Sequence, residues 1–235
     1  DNLSKRLINF DAGMIRFKFG SIRTPSEFFI FLKDDCHDEY KKMKVNLNEF
    51  YREKEQFLRD KATKANYDFV FVNALCVAKS ATRENKFQRV RVKEFCNETA
   101  KCLVTSLDYG LEEFVPYANM FPMFPLYKKL PAHCIYAKLD LVVPSSKYAN
   151  DPALRNMWSP ESKECFKNLA HKDNYFIGRL AKPISATVSL EANDQLSLII
   201  SFQDQLEVTL NNMLVSKGFA RYWECDDDDN DDDEL

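Results

Sequence analysis

Glycine is scarce in this sequence, five in 235 residues, and those five are scattered, so no glycine-rich loop exists to cradle a phosphate. No stretch approaches the ~18 consecutive apolar residues of a membrane-spanning helix, and no membrane association is expected. The seven cysteines (Cys36, Cys76, Cys96, Cys102, Cys134, Cys165, Cys225) are odd in number and contain no CxxC pair. That pattern fits reduced thiols in a cytosolic or nuclear setting rather than a disulfide framework. The three histidines, His37, His133 and His171, lie far apart. The adjacent pairs Cys36-His37 and His133-Cys134 lack the two-to-four-residue spacing of zinc ligands, so no metal is expected. No nucleophile–base motif is present, and no spaced acidic cluster with partnering arginines of the kind phosphodiester hydrolysis needs. The sequence therefore points away from an enzyme and implies no cofactor. The chain opens on Asp1 with no basic-then-apolar leader, as expected of a segment of a longer protein.

What is present is a core-forming composition, 45% hydrophobic and 29% charged. The formal charge of −3 hides a split, because residues 226–235 (DDDDNDDDEL) carry eight of the 36 acids. Without them 28 acids face 33 bases, a body of about +5. Residues 226–235 read as a disordered, solvated acidic tail, or as one that shields a basic groove.

Periodicity divides the rest. Residues 12–32 read as two strands around a turn at Thr24-Pro25-Ser26. From about 35 to 62 a helix is expected, since Tyr40, Met43, Leu47, Phe50 and Tyr51 form one stripe of a 3.6-residue period and Asp34, Asp35 and Asp38 suit its N-terminus. Over 67–127 come short strands at close spacing, at 69–78, 87–95, 100–106 and 113–116, with a turn at Asp108-Tyr109-Gly110, the signature of a small barrel. A strand follows over 130–141 and a loop from Pro144 to Pro152. Ser159-Pro160-Glu161 starts a helix, a strand alternates through Ile184, Ala186, Val188 and Leu190, another covers 195–202, and a last helix covers 207–217 and stops at Gly218. The barrel of 67–127 thus sits between two halves, 12–62 and 130–223, that are expected to pair across it.

That order resembles the extended Tudor domain, across roughly residues 12–223. Thr24-Pro25-Ser26-Glu27-Phe28-Phe29 resembles the family's opening segment. Cys76-Val77-Ala78-Lys79 with Phe87-Gln88-Arg89-Val90-Arg91-Val92 resembles its central strand pair, and Leu107-Asp108-Tyr109-Gly110 its DYG turn. Leu130-Pro131 with Leu139, and residues 211–220 (NNMLVSKGFA), resemble its closing segments. The resemblance implies an α+β fold, mainly β with helices, in which a Tudor barrel is inserted in a staphylococcal-nuclease-like OB-fold lobe, the two joined by a long helix. It also implies a non-enzymatic scaffold of the piRNA pathway that binds arginine, often symmetrically dimethylated, in the N-terminal tail of a PIWI-clade Argonaute. The implied location is a cytoplasmic, perinuclear germline granule (nuage).

In that family aromatic rings box the guanidinium, each worth ~0.5–2 kcal/mol. Here the box positions fall on Ser80, Gln88, Ser106, Tyr109 and Leu111, and Tyr109 alone keeps the family chemistry. The missing rings remove roughly 2–4 kcal/mol, a factor of about 30 to 1,000 in affinity. Two readings stay open: a dead pocket in a pure scaffold or oligomerisation domain, or a smaller polar pocket for unmodified arginine, whose N–H groups two serines and a glutamine can receive. Phe87, Asp108, Glu112 and Glu113 are further groove candidates, although Asp108 also reads as an ordinary turn residue. A competing class is single-stranded RNA binding on the OB lobe. Its basic candidates are Arg83, Lys86, Arg89, Arg91 and Lys93 on the second barrel hairpin, where alternation puts Arg89, Arg91 and Lys93 on one face.

Overall fold

The computed structural model describes residues 3–33, 37–64, 66–145, 157–171, 175–181, 187–191 and 194–223. The acidic tail, most of the 144–152 loop, Asp34, Asp35, Ile184 and Ala186 lie outside the described residues.

The chain begins with β1 (Arg6–Asn9), followed by the hairpin β2 (Met14–Thr24) and β3 (Glu27–Leu32). Helix α1 (His37–Lys64) then runs for 28 residues and buries Tyr40, Leu47, Tyr51 and Leu58 on its inward stripe. The next strands are β4 (Leu75–Ser80), β5 (Lys86–Cys96), β6 (Lys101–Ser106), β7 (Glu112–Pro116) and β8 (Met120–Pro122). They form one five-stranded sheet in the order β7-β6-β5-β4-β8, the small barrel. Its interior is lined by Cys76, Ala78, Val90, Val92, Cys102, Val104 and Val115, alternate residues of successive strands. The remainder comprises β9 (Ile135–Leu139), β10 (Val142–Pro144), α2 (Pro160–Ala170), β11 (Phe176–Arg179), β12 (Thr187–Leu190), β13 (Leu196–Phe202), β14 (Gln205–Thr209), α3 (Leu210–Ser216) and β15 (Ala220–Tyr222).

The second sheet has the order β11-β2-β3-β9-β13-β14, and an added β11–β13 pairing closes five of these strands into a ring. Strands from both sides of the inserted barrel share it: β3 pairs antiparallel with β9, and β9 runs parallel to β13. Phe17, Phe28, Phe166 and Phe176 fill its centre, Phe17 on Phe176 and Phe28 on Phe166, with ring centroids 5.5–6.1 Å apart. Helix α2 starts where the capping signal placed it, Ser159 Oγ accepting from Ser162 N at 3.1 Å.

Three expected elements differ. Of the strand expected over 69–78, residues 69–74 are turn and irregular backbone, with Asn73 at φ 69°, and β4 begins at Leu75. The strand expected over 130–141 is confined to Ile135–Leu139, after which Leu141 at φ 60° breaks it. Residues 207–209 continue a strand, and the last helix begins after Thr209, whose side chain accepts from Asn212 N at 3.0 Å.

Candidate functional site

The degenerate box positions gather at one mouth of the barrel. Ser80 continues the inward face of Cys76 and Ala78, Gln88 sits across from Ala78, and Ser106 sits across from Val90, one diagonal step from Gln88. Glu113 extends the inward face of Val115 into the same mouth. Its Oε1 accepts from Gln88 Nε2 at 2.6 Å and its Oε2 from Thr82 Oγ1 at 3.0 Å. Thr82 Oγ1 in turn lies 3.0 Å from Ser80 Oγ. A carboxylate thus stands among the positions where rings were expected, supported by neutral groups and, among the described residues, by no ion pair. Two buried polar atoms here, Gln88 Oε1 and Ser106 Oγ, have no partner, whereas buried polar atoms are nearly always matched.

Tyr109 is half-buried, and Arg83 lies over its ring with Cζ 3.5 Å from the centroid; Lys44 Nζ is 5.1 Å away on α1. Burial raises the Tyr109 phenol pKa, against the pull of Arg83. Leu111 is not brought into the mouth: just beyond the turn it is exposed, at 44%. Thr82 and Arg83 complete the constellation, and residue type alone gave no sign of Thr82.

The other groove candidates have internal partners. Phe87 is turned into the layer between α1 and the barrel, against Tyr51 and Phe121. Glu112 accepts from Thr105 Oγ1 at 3.0 Å and pairs with Arg23 of β2, which also holds Glu27 at 2.8 Å. Asp108 is no ordinary turn residue. It is buried and receives both sides of the Arg89 fork, Nε at 3.0 Å and Nη2 at 2.5 Å. Arg89 also donates to the carbonyls of Tyr127, Leu130 and Pro131 at 2.6–2.9 Å.

This pairing corrects the basic hairpin face expected from alternation. Arg89 is fully buried, Arg91 nearly so, and a bulge between Val92 and Glu94 breaks the alternation before the strand ends. Burial lowers the Arg91 pKa. For Arg89 burial acts the same way, but the Asp108 carboxylate outweighs it and the pKa is raised. Of the expected stripe, only Lys93 is exposed.

Burial pushes the thiol of Cys76 up to about 12, and that of Cys134 up as well, so neither is a thiolate near neutral pH. Among the described residues no group of His, Cys, Asp and Glu is arranged to hold a metal. No helix among them is long and apolar enough to cross a membrane.

A Tudor domain family model matches residues 19–141, more than half of the chain. No curated protein matches it. Among solved structures, the human TDRD1 extended Tudor domain in complex with a symmetrically dimethylated peptide is 18% identical with a TM-score of 0.69, covering 95% of this chain and 96% of that one. The mouse TDRD1 domain TD3, in complex with a MILI peptide containing dimethylarginine, is 15% identical with a TM-score of 0.67, covering 95% and 100%. A Drosophila melanogaster Papi extended Tudor domain variant, in complex with an unmethylated Piwi N-terminal peptide, is 14% identical with a TM-score of 0.62, covering 89% and 99%. The barrel, its DYG turn and the strands that return around them are thus those of a known architecture: the chain belongs to the Tudor domain family and has the extended Tudor fold.

Proposed function

We propose that the chain is a non-enzymatic module that binds an arginine-containing disordered tail of a PIWI-clade Argonaute and does so without dependence on arginine dimethylation. The observation that carries this reading is the Glu113 carboxylate at the barrel mouth, hydrogen-bonded by Gln88 and Thr82 and, among the described residues, without an ion-pair partner. An unmethylated guanidinium offers five N–H donors in a planar fork that matches a carboxylate. Charge-assisted bonds of this kind are about twice as strong as neutral ones. Methyl groups would block some of those donors, and Tyr109, with Arg83 already over it, is the one ring left at the box positions to reward a broader cation. The structural neighbours support the ligand class, since their complexes hold both dimethylated and unmethylated arginine peptides. The remaining lobe, 12–62 with 130–223, supplies the far side of the groove, and the protein acts as a scaffold within an RNA-silencing granule such as nuage.

Titration calorimetry with paired PIWI-tail peptides, unmodified and symmetrically dimethylated, tests this. The unmodified peptide is expected to bind about three- to tenfold more tightly, and Glu113→Gln to weaken it at least tenfold, a loss of about 1.4 kcal/mol or more. A preference for the dimethylated peptide sinks the reading. Binding of neither shifts the function to a pure scaffold.

A further inference from the structure

Basic and aromatic side chains come together away from the barrel hairpin. A cleft of about 610 Å³ opens beside α1, with Lys18, Phe31, Lys33, Lys44, His133 and Tyr175 on its walls. Strand pairing brings these residues together. Lys18 on β2 lies opposite Phe31 on β3, and Lys33 N donates to Arg16 O at 3.0 Å. β11 pairs with β2 so that Phe176 faces Phe17, which sets Tyr175 beside the same basic residues.

The charges converge on one ring. Arg16 Cζ lies 4.5 Å from the Tyr175 centroid, Lys18 Nζ 4.4 Å and Lys33 Nζ 5.5 Å. Among the described residues none of Lys18, Lys33 and Lys44 has a salt-bridge partner. The one carboxylate lining the cleft, Asp108, is engaged by Arg89. Like charges held this close repel unless an anion lies between them. A second observation points the same way. His133, a lining residue of the cleft, is 93% removed from solvent, since 7% of it is exposed, and it stacks on Tyr40 at 4.2 Å, yet its buried Nδ1 has no hydrogen-bond partner.

A small inorganic anion would leave the apolar walls, Phe31 and Tyr175, unused. An acidic peptide offers charge, but a flat ring only where its sequence happens to place an aromatic residue. Single-stranded nucleic acid offers both at short intervals, and grooves that bind it combine cations with aromatic platforms. A cleft of this size also lies within the range of nucleotide-sized ligand sites. We propose that this cleft binds single-stranded nucleic acid, with phosphates on Lys18, Lys33 and Lys44 and a base against Tyr175. The cleft reaches Tyr109, which the peptide reading also uses, but Lys18, Lys33 and Tyr175 belong to the cleft alone and Glu113 to the peptide site alone, so variants of each test the two readings separately.

Fluorescence anisotropy of the whole chain with a labelled single-stranded oligouridine tests it, with Lys18→Glu/Lys33→Glu and Tyr175→Ala as variants. Both lysines are exposed, so the melting temperature of the double variant is expected to match the parent. Affinity should fall with salt. The double variant should bind at least tenfold more weakly, with a salt slope shallower by about 0.7 for each phosphate it no longer neutralises. Tyr175→Ala should weaken binding about tenfold, and Tyr175→Phe should retain it. Absence of binding, or equal binding by the folded double variant, overturns the proposal. So does equal affinity for an aspartate-rich peptide of the same charge, or for uridine monophosphate alone.

Discussion

A buried guanidinium is tolerated when each of its N–H groups finds an acceptor, and Arg89 meets that condition. Its five donors reach two carboxylate oxygens of Asp108 and three backbone carbonyls. Removing either charge leaves the other buried and unpaired, which costs about 3–5 kcal/mol. Asp108→Ala is therefore expected to lower unfolding stability by that amount in urea titration, and Arg89→Lys to rescue little, since an ammonium offers three donors and no fork. A loss below about 1 kcal/mol would show that Asp108 is a replaceable turn residue. His133 carries a second prediction. Burial above all, helped by Lys44, lowers its pKa to about 4 from the ordinary 6.5. Between those values the unfolded chain binds more protons than the folded one, so stability falls as pH drops through this window. The loss is on the order of 3 kcal/mol by pH 4. His133→Phe should remove that part of the acid sensitivity, measured as the difference between the two stability–pH curves; parallel curves would refute it.

Among the side chains that dock helix α1 on the barrel, Asn48 takes the place of a neighbouring strand. Asn48 Nδ2 donates to Phe87 O at 3.0 Å, and its Oδ1 accepts from Phe87 N at 2.8 Å. Phe87 is buried, so Asn48→Ala strands both backbone groups and is expected to cost about 2–3 kcal/mol by chemical denaturation; Asn48→Asp keeps only the acceptor and should cost less. A neutral alanine variant would mean that water takes over both groups. These docking contacts also mark what the sequence conveyed and what it withheld. The stripe Tyr40, Met43, Leu47, Phe50, Tyr51 foretold α1, and alternation foretold β5, because both depend on neighbours along the chain. The last helix was expected from 207, yet residues 207–209 complete β14, whose pairing with β13 is not local to that segment. The burial of Arg89 was not legible, because its partner lies 19 residues away and the carbonyls it reaches lie up to 42 residues away. Likewise the box positions were legible from motif order, while the carboxylate among them depended on how β7 and the 81–85 turn come together. Lys18, Lys33 and Tyr175 meet only because β2, β3 and β11 pair.

At the scale of the molecule, the barrel and the surrounding lobe are tied at several points. Arg89 of the barrel holds the carbonyls of 127–131, the segment leading back to the lobe. Arg23 of β2 pairs with Glu112 of β7. The third tie is steric. Gly110 of the DYG turn has φ +66°, and a Cβ there would fall 2.3 Å from Phe29 Cγ of β3. Glycine is needed both for the left-handed turn and for the close approach of the lobe. Such ties make separate melting of the two units costly, so the described body should unfold as one cooperative unit. Both tryptophans, Trp158 and Trp223, lie outside the barrel, so their fluorescence reports the lobe while circular dichroism reports all secondary structure. In guanidinium titration the two signals are expected to coincide for the parent chain. Gly110→Val forces the turn away from Phe29 and adds strain at positive φ, so its two transitions should separate, with the barrel the weaker part. Non-coincident transitions in the parent, or coincident ones in a destabilised Gly110→Val, would show that the turn does not couple the two units.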